Sequence, residues 1–197
     1  MMKMRNAVVF GLLALFAAGI LGGCSGSTDE AATTSGEAVT MDSIETSEET
    51  GVNVGDVPPT FVLPNLDGED VSLSDFEGKV VVLDLWATWC PPCRVEIPFL
   101  IELYDEFEEQ GLEIVGVGLD QGGATDLAPF VDDNGIDYTI LVGNRSIGEA
   151  YKVSGIPTTF IIGRDGRIAA KHIGFSNELR PEMRSEIEVL LGGAENI

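Results

Sequence analysis

Residues 80–93 read VVVLDLWATWCPPC, an apolar run that ends in two cysteines separated by two prolines. The run 80–86 is almost continuously apolar, which is typical of a strand buried on both faces of a sheet. After the cysteines, large apolar residues recur at helical spacing, which predicts a helix with one buried face. These positions are Val95, Phe99, Leu100, Leu103 and Phe107. The stretch therefore predicts a core strand followed at once by a helix, with Cys90 at or just before the first helical turn.

Cys90 and Cys93 form a pair that can open and close as a disulfide. Unpartnered amide N–H groups and the positive end of the helix dipole favour a thiolate at the start of a helix. The thiolate is the nucleophile in disulfide exchange. We expect both sulfur atoms to share an exposed corner of the domain, with Cys90 closer to solvent and able to attack a partner disulfide. Cys93, one turn deeper, is expected to attack the mixed disulfide and release the partner.

Pro91 and Pro92 lie between the two cysteines. Proline is well tolerated in a first helical turn, so both residues stiffen the active-site turn. They also remove two amide N–H groups that would otherwise stabilise a thiolate. The redox potential is therefore expected to depend on them, in a direction that the sequence leaves open.

The first 23 residues have the pattern of a secretory signal peptide. Lys3 and Arg5 give a charged start, an apolar stretch runs to Leu21, and two glycines precede Cys24. The cysteine at the cleavage point resembles a bacterial lipoprotein box, which implies a lipid anchor on Cys24. The alternative is an uncleaved membrane anchor, for which the apolar stretch is at the short limit. Both interpretations place the rest of the chain outside the cytoplasm.

Residues 24–51 are rich in Ser, Thr, Glu, Asp and Gly and contain no Lys or Arg. Such a segment cannot bury enough apolar surface to fold, so we interpret it as a disordered acidic tether. Residues 52–197 have the common size of a single domain with its own core. The sequence therefore predicts a signal peptide, a tether and one folded domain.

Composition narrows the kinds of site and partner. Of the three cysteines, Cys24 is assigned to the signal, so one pair remains and a disulfide-rich scaffold is not indicated. His172 is the only histidine, and without a second cysteine pair no metal site or other cofactor is expected. The formal net charge of −22 argues against nucleic acid and anionic membrane surfaces as partners.

Strand and helix patterns alternate along the rest of the chain. Short strands are predicted at 60–63, 71–73 and 138–142, a core strand at 113–119, and helices at 93–110, 127–134, 147–151 and 179–191. The Asp165-Gly166 turn predicts a hairpin of strands 158–162 and 167–173. The alternation indicates an α/β domain: a central, mostly parallel sheet with an antiparallel edge hairpin and helices on both faces.

The segments 86-WATWCPPC-93 and 155-GIPTTF-160, together with Pro98, resemble the thioredoxin fold. More closely, they resemble the TlpA/ResA-type extracytoplasmic thiol–disulfide oxidoreductases, and the resemblance covers residues 52–191. It implies reduction of protein disulfides outside the cytoplasm, with the haem-binding cysteines of apocytochrome c as a candidate substrate. It also implies a membrane electron donor of the DsbD/CcdA type.

The resemblance also assigns a substrate-binding rim to this chain. In that family the loop corresponding to Ile156–Pro157 carries a cis bond and faces the dithiol. The backbone of the residue before the proline, here Ile156, pairs with an extended partner. Trp89, Pro91 and Pro92 complete the expected rim.

Asp84 and Glu96 bracket the cysteine pair. The resemblance matches Asp84 to the buried aspartate beneath the second cysteine of thioredoxins, and Glu96 to a glutamate near the dithiol. A partly buried carboxyl group has a raised pKa and can exchange a proton with a thiol near neutral pH. A solvated helix position is the alternative for Glu96, and which carboxyl serves Cys93 stays open.

Three other functions use similar residues. Disulfide formation is the same chemistry in the opposite direction, and only the redox potential separates the two. A thiol peroxidase of related fold would need P-x-x-x-T-x-x-C, whereas Thr88 lies two residues before Cys90 instead of three. A non-catalytic lipoprotein binding module is the third.

Asp120, after the predicted strand 113–119, is interpreted as a helix cap or turn former.

Overall fold

The computed structural model describes residues 50–192. The expected signal peptide at residues 1–23, the lipidation site Cys24 and residues 24–49 of the expected tether lie outside the described residues. Thr50 already pairs with Val57 in an isolated bridge, two residues before the expected start of the domain. None of the helices found within 50–192 combines the length and apolar character that a membrane crossing requires.

The domain contains seven strands and four helices within the described residues. The strands are β1 (Val62–Pro64), β2 (Asp70–Ser72), β3 (Val80–Trp86), β4 (Leu112–Gly118), β5 (Thr139–Val142), β6 (Thr158–Ile162) and β7 (Ile168–Ile173). The helices are α1 (Pro91–Phe107), α2 (Ala124–Asn134), α3 (Arg145–Ala150) and α4 (Arg180–Gly192). All the predicted elements are present, and α2 begins three residues before its predicted start.

Five strands form the central sheet in the order β5-β4-β3-β6-β7. β3 pairs in parallel with β4, and β4 with β5, whereas β6 is antiparallel to both β3 and β7. Four of the five strands therefore point the same way, and the β6–β7 hairpin supplies the antiparallel edge. β1 and β2 form a separate two-stranded antiparallel sheet.

Both faces of the sheet are covered, as predicted. Side chains of α1, α2 and α4 pack on one face, where Trp86, Leu100, Leu127 and Met183 are fully buried. The β1–β2 hairpin and α3 pack on the other face. This arrangement explains why every residue of β3 is buried, and it confirms the thioredoxin-like fold.

The β3–α1 junction follows from local sequence. Proline at the first helical position needs no amide donor, and Pro91 is the first residue of α1. Cys90 adopts an extended backbone and is the N-cap of the helix. The short helical turn after α1 ends at Gly111, whose φ of 94° is readily adopted only by glycine. The cysteine pair is thus held at the end of the central strand and the start of the longest helix.

We expect Gly118→Ala to lower the free energy of unfolding by about 1–3 kcal/mol through overpacking. A Cβ at Gly118 would lie 2.4 and 2.6 Å from the two methyl carbons of the fully buried Leu127. Urea denaturation measures the change. The control is Gly148→Ala in α3, where a Cβ would meet no atom within 4 Å. Equal stability of the two variants would contradict close packing of α2 on β4.

Candidate active site

The two cysteines are joined in the structure. Cys90 and Cys93 form a disulfide with their Cα atoms 5.3 Å apart. The Cys93 amide N–H donates to Cys90 Sγ at 3.2 Å, so the cysteine sulfur itself caps the helix. The predicted dithiol is therefore close enough to open and close reversibly, at the N-terminus of α1.

The expectation that both sulfur atoms share an exposed corner is wrong. Cys90 is 2% exposed and Cys93 is 0% exposed. Exposure instead belongs to the neighbours, because Trp89 is 66% exposed and Pro91 is also exposed. The physical reason is tertiary: the loop before β6 lies against the pair, with the Ile156 carbonyl oxygen 3.6 Å from Cys90 Sγ. The disulfide thus lies just beneath an exposed rim.

The loop before β6 has the form that the resemblance implies. The Ile156–Pro157 bond is cis, and Ile156 is half-buried beside Cys90. The Gly174 N–H donates to the Pro157 carbonyl oxygen at 2.7 Å. Gly174 has a φ of 78°, which glycine adopts without strain. The proline loop, Cys90 and Trp89 therefore lie together on one side of the domain.

Asp84 and Glu96 lie in the core and approach one residue, Thr159. Each acidic residue is 1% exposed. Thr159 on β6 is the cross-strand partner of Asp84 on β3, and its hydroxyl donates to Glu96 Oε1 at 2.9 Å. Among the described residues, Asp84 Oδ1 and Glu96 Oε2 have no hydrogen-bond partner. The interpretation of Glu96 as a solvated helix residue is wrong, since α1 turns this side chain inward.

Burial raises the pKa of both carboxyl groups, because the charged form loses its hydration. The pKa of Glu96 rises from 4.5 to about 7, and the hydrogen bond from Thr159 opposes part of the increase. Burial, followed by the charge of Glu96, raises the pKa of Asp84 well above its usual value. Since a hydroxyl donates only one hydrogen bond, Thr159 cannot stabilise both carboxylates at once. The pair therefore holds protons at a pH where exposed carboxyls have lost them.

Thr159 and Asp120 are the residues whose roles the sequence analysis missed. Asp120 is 6% exposed and accepts hydrogen bonds from Thr88, at 3.0 Å from the amide N–H and 2.6 Å from the hydroxyl. Its interpretation as a helix cap is wrong, because the N-cap of α2 is Gly123 and no side chain caps that helix. The alternative interpretation as a turn former agrees with the structure, because the Asp120 carbonyl oxygen accepts the Gly123 N–H at 3.1 Å. Thr159 is identified by its pairing with Asp84 across β3 and β6, and Asp120 by its contact with Thr88, which follows Ala87 after the end of β3. Both contacts join residues that are far apart in the sequence, so local patterns do not reveal them.

Metal ligation finds no support in the described part of the chain. Residues 50–192 contain no group of three or more His, Cys, Asp or Glu side chains arranged to hold a metal ion. His172 instead lies 2.8 Å from Glu186 Oε2 through its Nε2 atom, between β7 and α4. The reactive groups that the structure does describe are the Cys90–Cys93 disulfide and the two buried carboxyls, Asp84 and Glu96.

Comparison with known proteins assigns this geometry to a family. The sequence profile of the AhpC/TSA family matches residues 54–171. The chain belongs to the AhpC/TSA family. Thiol-disulfide oxidoreductase ResA of Bacillus anthracis is 37% identical to this chain over 127 residues, which are 62% of this chain and 71% of that protein. ResA of Bacillus subtilis strain 168 is 34% identical over 128 residues, 64% of this chain and 71% of that protein.

Solved structures agree with this family assignment. A candidate thiol:disulfide interchange protein DsbE from Chlorobium tepidum superposes with a TM-score of 0.67 at 32% identity, over 72% of this chain and all of that one. StoA of Bacillus subtilis gives a TM-score of 0.53 at 28% identity, over 66% of this chain and 97% of that one. This AhpC/TSA family member is therefore a thiol–disulfide oxidoreductase with a thioredoxin-like fold.

The two other classes of function fit the AhpC/TSA site less well. The Thr88 hydroxyl donates its single hydrogen to Asp120, which follows β4, so that hydrogen is not available for a bond to Cys90 or a peroxide. Thr88 also lies one residue closer to the cysteine than the peroxidase motif requires. A non-catalytic module would not need a bonded Cys90–Cys93 pair in a domain that also buries two carboxyl groups.

Proposed function

We propose that this oxidoreductase reduces protein disulfides outside the cytoplasm. The observation that carries the proposal is the buried carboxyl pair, Asp84 and Glu96, in the core of the domain that holds the dithiol. Glu96 lies one turn along α1 from Cys93. A proton acceptor near the second cysteine assists the resolving step of disulfide reduction, in which Cys93 must lose its proton.

In the first step, the Cys90 thiolate attacks one sulfur of the partner disulfide. A bond forms between Cys90 Sγ and that sulfur, the partner S–S bond breaks, and the other partner sulfur leaves as a thiolate that takes a proton from water. The Cys93 amide N–H, 3.2 Å from Cys90 Sγ in the oxidised protein, is placed to stabilise the attacking thiolate.

In the second step, Cys93 gives its proton to the carboxylate form of the Asp84–Glu96 pair and attacks Cys90 Sγ. The Cys90–Cys93 bond forms, the mixed disulfide breaks, and the second partner sulfur leaves as a thiolate. Two electrons pass from the cysteine pair to the partner. Glu96, with a pKa of about 7, changes its protonation in the neutral range and is suited to accept this proton.

The surroundings of Cys90 favour the reductive direction. A strong oxidant has a stabilised reduced form, and here stabilisation of the thiolate is limited. Pro91 and Pro92 offer no N–H, and the Arg94 N–H donates to the Cys90 carbonyl oxygen instead of the sulfur. We infer that the disulfide form is comparatively stable and the dithiol is a good electron donor.

The partner protein is expected to bind on the rim around Cys90. Trp89 and Pro91 offer exposed apolar surface, and Pro92 is half-buried beside them. Ile156 and Pro157 form the facing wall, and the backbone of Ile156 would pair with an extended segment of the partner. This assignment makes the five residues a substrate-binding site and places the partner disulfide above Cys90.

The finer parts of the proposal rest on sequence pattern and resemblance. The Leu21-Gly22-Gly23-Cys24 segment supports cleavage and lipid attachment at Cys24, and so a lipid anchor on the outer face of a bacterial membrane. Resemblance to TlpA/ResA-type proteins supports the C-x-x-C-H disulfide of apocytochrome c as a substrate. It also supports re-reduction by a membrane dithiol protein of the DsbD/CcdA type.

A redox titration of the Cys90–Cys93 pair tests the proposed direction. The protein is equilibrated in thiol–disulfide buffers, and the reduced fraction is measured by alkylation and mass spectrometry. We expect a midpoint well below about −200 mV, as in reducing members of the fold. A midpoint near about −120 mV would identify an oxidant and overturn the reductase assignment.

A further inference from the structure

Asp120 is a buried acidic residue outside the cysteine–carboxyl site. It follows β4, is 6% exposed, and accepts two hydrogen bonds from a single residue, Thr88. Thr88 precedes Cys90 by two positions and is half-buried. The reaction described above gives Asp120 no part, although its contacts reach the segment that carries the nucleophile.

Residues 87–90 form a tight turn between β3 and α1. The Cys90 N–H donates to the Ala87 carbonyl oxygen at 3.1 Å, which closes the turn with Thr88 and Trp89 at its corners. The backbone supplies one further link to the neighbouring strand, from the Leu119 N–H to the Trp86 carbonyl oxygen at 2.8 Å. Beyond Trp86, Asp120 is the residue that ties the turn to the end of β4 through side-chain contacts.

We propose that Asp120 is a positioning residue for Cys90, acting through Thr88. Both hydrogen bonds end on the carboxyl group of Asp120, and such charge-assisted bonds are stronger and shorter than neutral ones. The two bonds hold Thr88 at the corner of the turn. They thereby fix the position of Cys90 Sγ relative to the Cys93 N–H. The inference rests on the proposed role of Cys90 as the attacking nucleophile.

Loss of the Thr88 hydroxyl should change the chemistry of Cys90 without changing any charge. With a looser turn, Cys90 Sγ spends less time within hydrogen-bond distance of the Cys93 N–H, and the thiolate becomes less stable. The same turn presents Trp89, whose exposed ring belongs to the proposed partner-binding rim. Both thiolate formation and partner binding therefore depend on the contact between Thr88 and Asp120.

The test uses Thr88→Val, which removes the hydroxyl donor and keeps both the shape and the amide N–H. The pH dependence of iodoacetamide alkylation is measured on the reduced protein, and mass spectrometry identifies the alkylated cysteine. We expect the alkylation midpoint of Cys90 to move to higher pH, and insulin reduction at neutral pH to become about tenfold slower, equivalent to one lost charge-assisted hydrogen bond. Thr88→Ser should restore both values.

Asp126→Asn is the matched control. Asp126 is an exposed residue of α2, and it accepts at 2.9 Å the N–H of Gly122, which lies in the β4–α2 loop that also contains Asp120. It should leave the alkylation profile unchanged. Asp120→Asn completes a double-mutant cycle, in which Thr88→Val should cost about threefold or less, since its charged partner is already gone.

The outcomes separate this inference from the proposed function. Unchanged alkylation in Thr88→Val, or fully additive effects in the cycle, would overturn positioning by Asp120 while leaving Cys90 as the nucleophile. Alkylation of wild-type protein at Cys93 in place of Cys90 would instead overturn the nucleophile assignment. If Asp120→Asn does not fold, Thr88→Val against Thr88→Ser still decides the question.

Discussion

Cys90→Ser is expected to reduce insulin-disulfide reduction by about a thousandfold or more, the usual cost of removing a catalytic nucleophile. A serine hydroxyl is not ionised near neutral pH and forms no disulfide, so neither step of the exchange can proceed. The measurement is insulin reduction with dithiothreitol as electron source, corrected for the rate without protein. The fold should persist, because serine is similar in shape and can accept the Cys93 N–H as an N-cap.

Cys93→Ser distinguishes the two cysteines. Cys90 can still attack, but no second thiol resolves the mixed disulfide, so a covalent adduct with the partner should accumulate and disappear on reduction. Cys90→Ser is the matched control and should trap far less adduct, because Cys90 precedes α1 as its N-cap beside the exposed Trp89, whereas Cys93 lies within the helix. Trapping by Cys90→Ser at the level of Cys93→Ser would show that Cys93 is the attacking residue.

The strand–helix unit around the cysteines could be predicted because its signals are local. β3 is apolar at every position but one, and α1 begins at a proline beside an N-cap. The hairpin of β6 and β7 follows from the Asp165-Gly166 turn in the same way. In each case a few neighbouring residues determine the backbone, so no knowledge of tertiary contacts is needed.

Burial of the cysteine pair could not be predicted, since it depends on a distant segment. The Ile156 carbonyl oxygen lies 3.6 Å from Cys90 Sγ, although 66 residues separate the two. Position at a helix N-terminus indicates solvent access only when nothing else covers that end. Here the loop before β6 covers it, and exposure moves to Trp89.

The meeting of Asp84 with Glu96 also depends on tertiary register. The sequence places each carboxyl near the cysteines separately. Asp84 lies in the strand that leads to Cys90, and Glu96 lies one helical turn after Cys93. Their shared contact, Thr159, appears only when β6 pairs with β3 in the observed register. The sequence left open whether Asp84 or Glu96 exchanges a proton with Cys93. In the structure the charge of one carboxyl affects the pKa of the other, so the two groups titrate as a pair.

The carboxyl pair is expected to make the protein less stable as the pH rises. In the unfolded chain Glu96 ionises near 4.5, whereas in the folded protein its pKa is about 7. Between these values the folded state binds more protons, so the free energy of unfolding falls as the pH rises. A rise in pKa of this size corresponds to a loss of about 3 kcal/mol across this window. Asp84, whose pKa is also raised, acts in the same direction.

Glu96→Gln isolates this effect, because the amide keeps the shape and can still accept from Thr159 but cannot ionise. Urea denaturation of the oxidised protein from pH 4.5 to pH 8 gives the free energy of unfolding at each pH. The variant should match wild type near pH 4.5 and exceed it by about 2–3 kcal/mol at pH 8. Glu109→Gln, an exposed position just after α1, is the control and should follow wild type throughout.

Parallel curves for Glu96→Gln and wild type would mean that Glu96 is already ionised in the folded protein at low pH. Glu96 could not then be the group that takes up the Cys93 proton at neutral pH. That role needs a carboxylate whose pKa is raised, so that it binds a proton readily near pH 7.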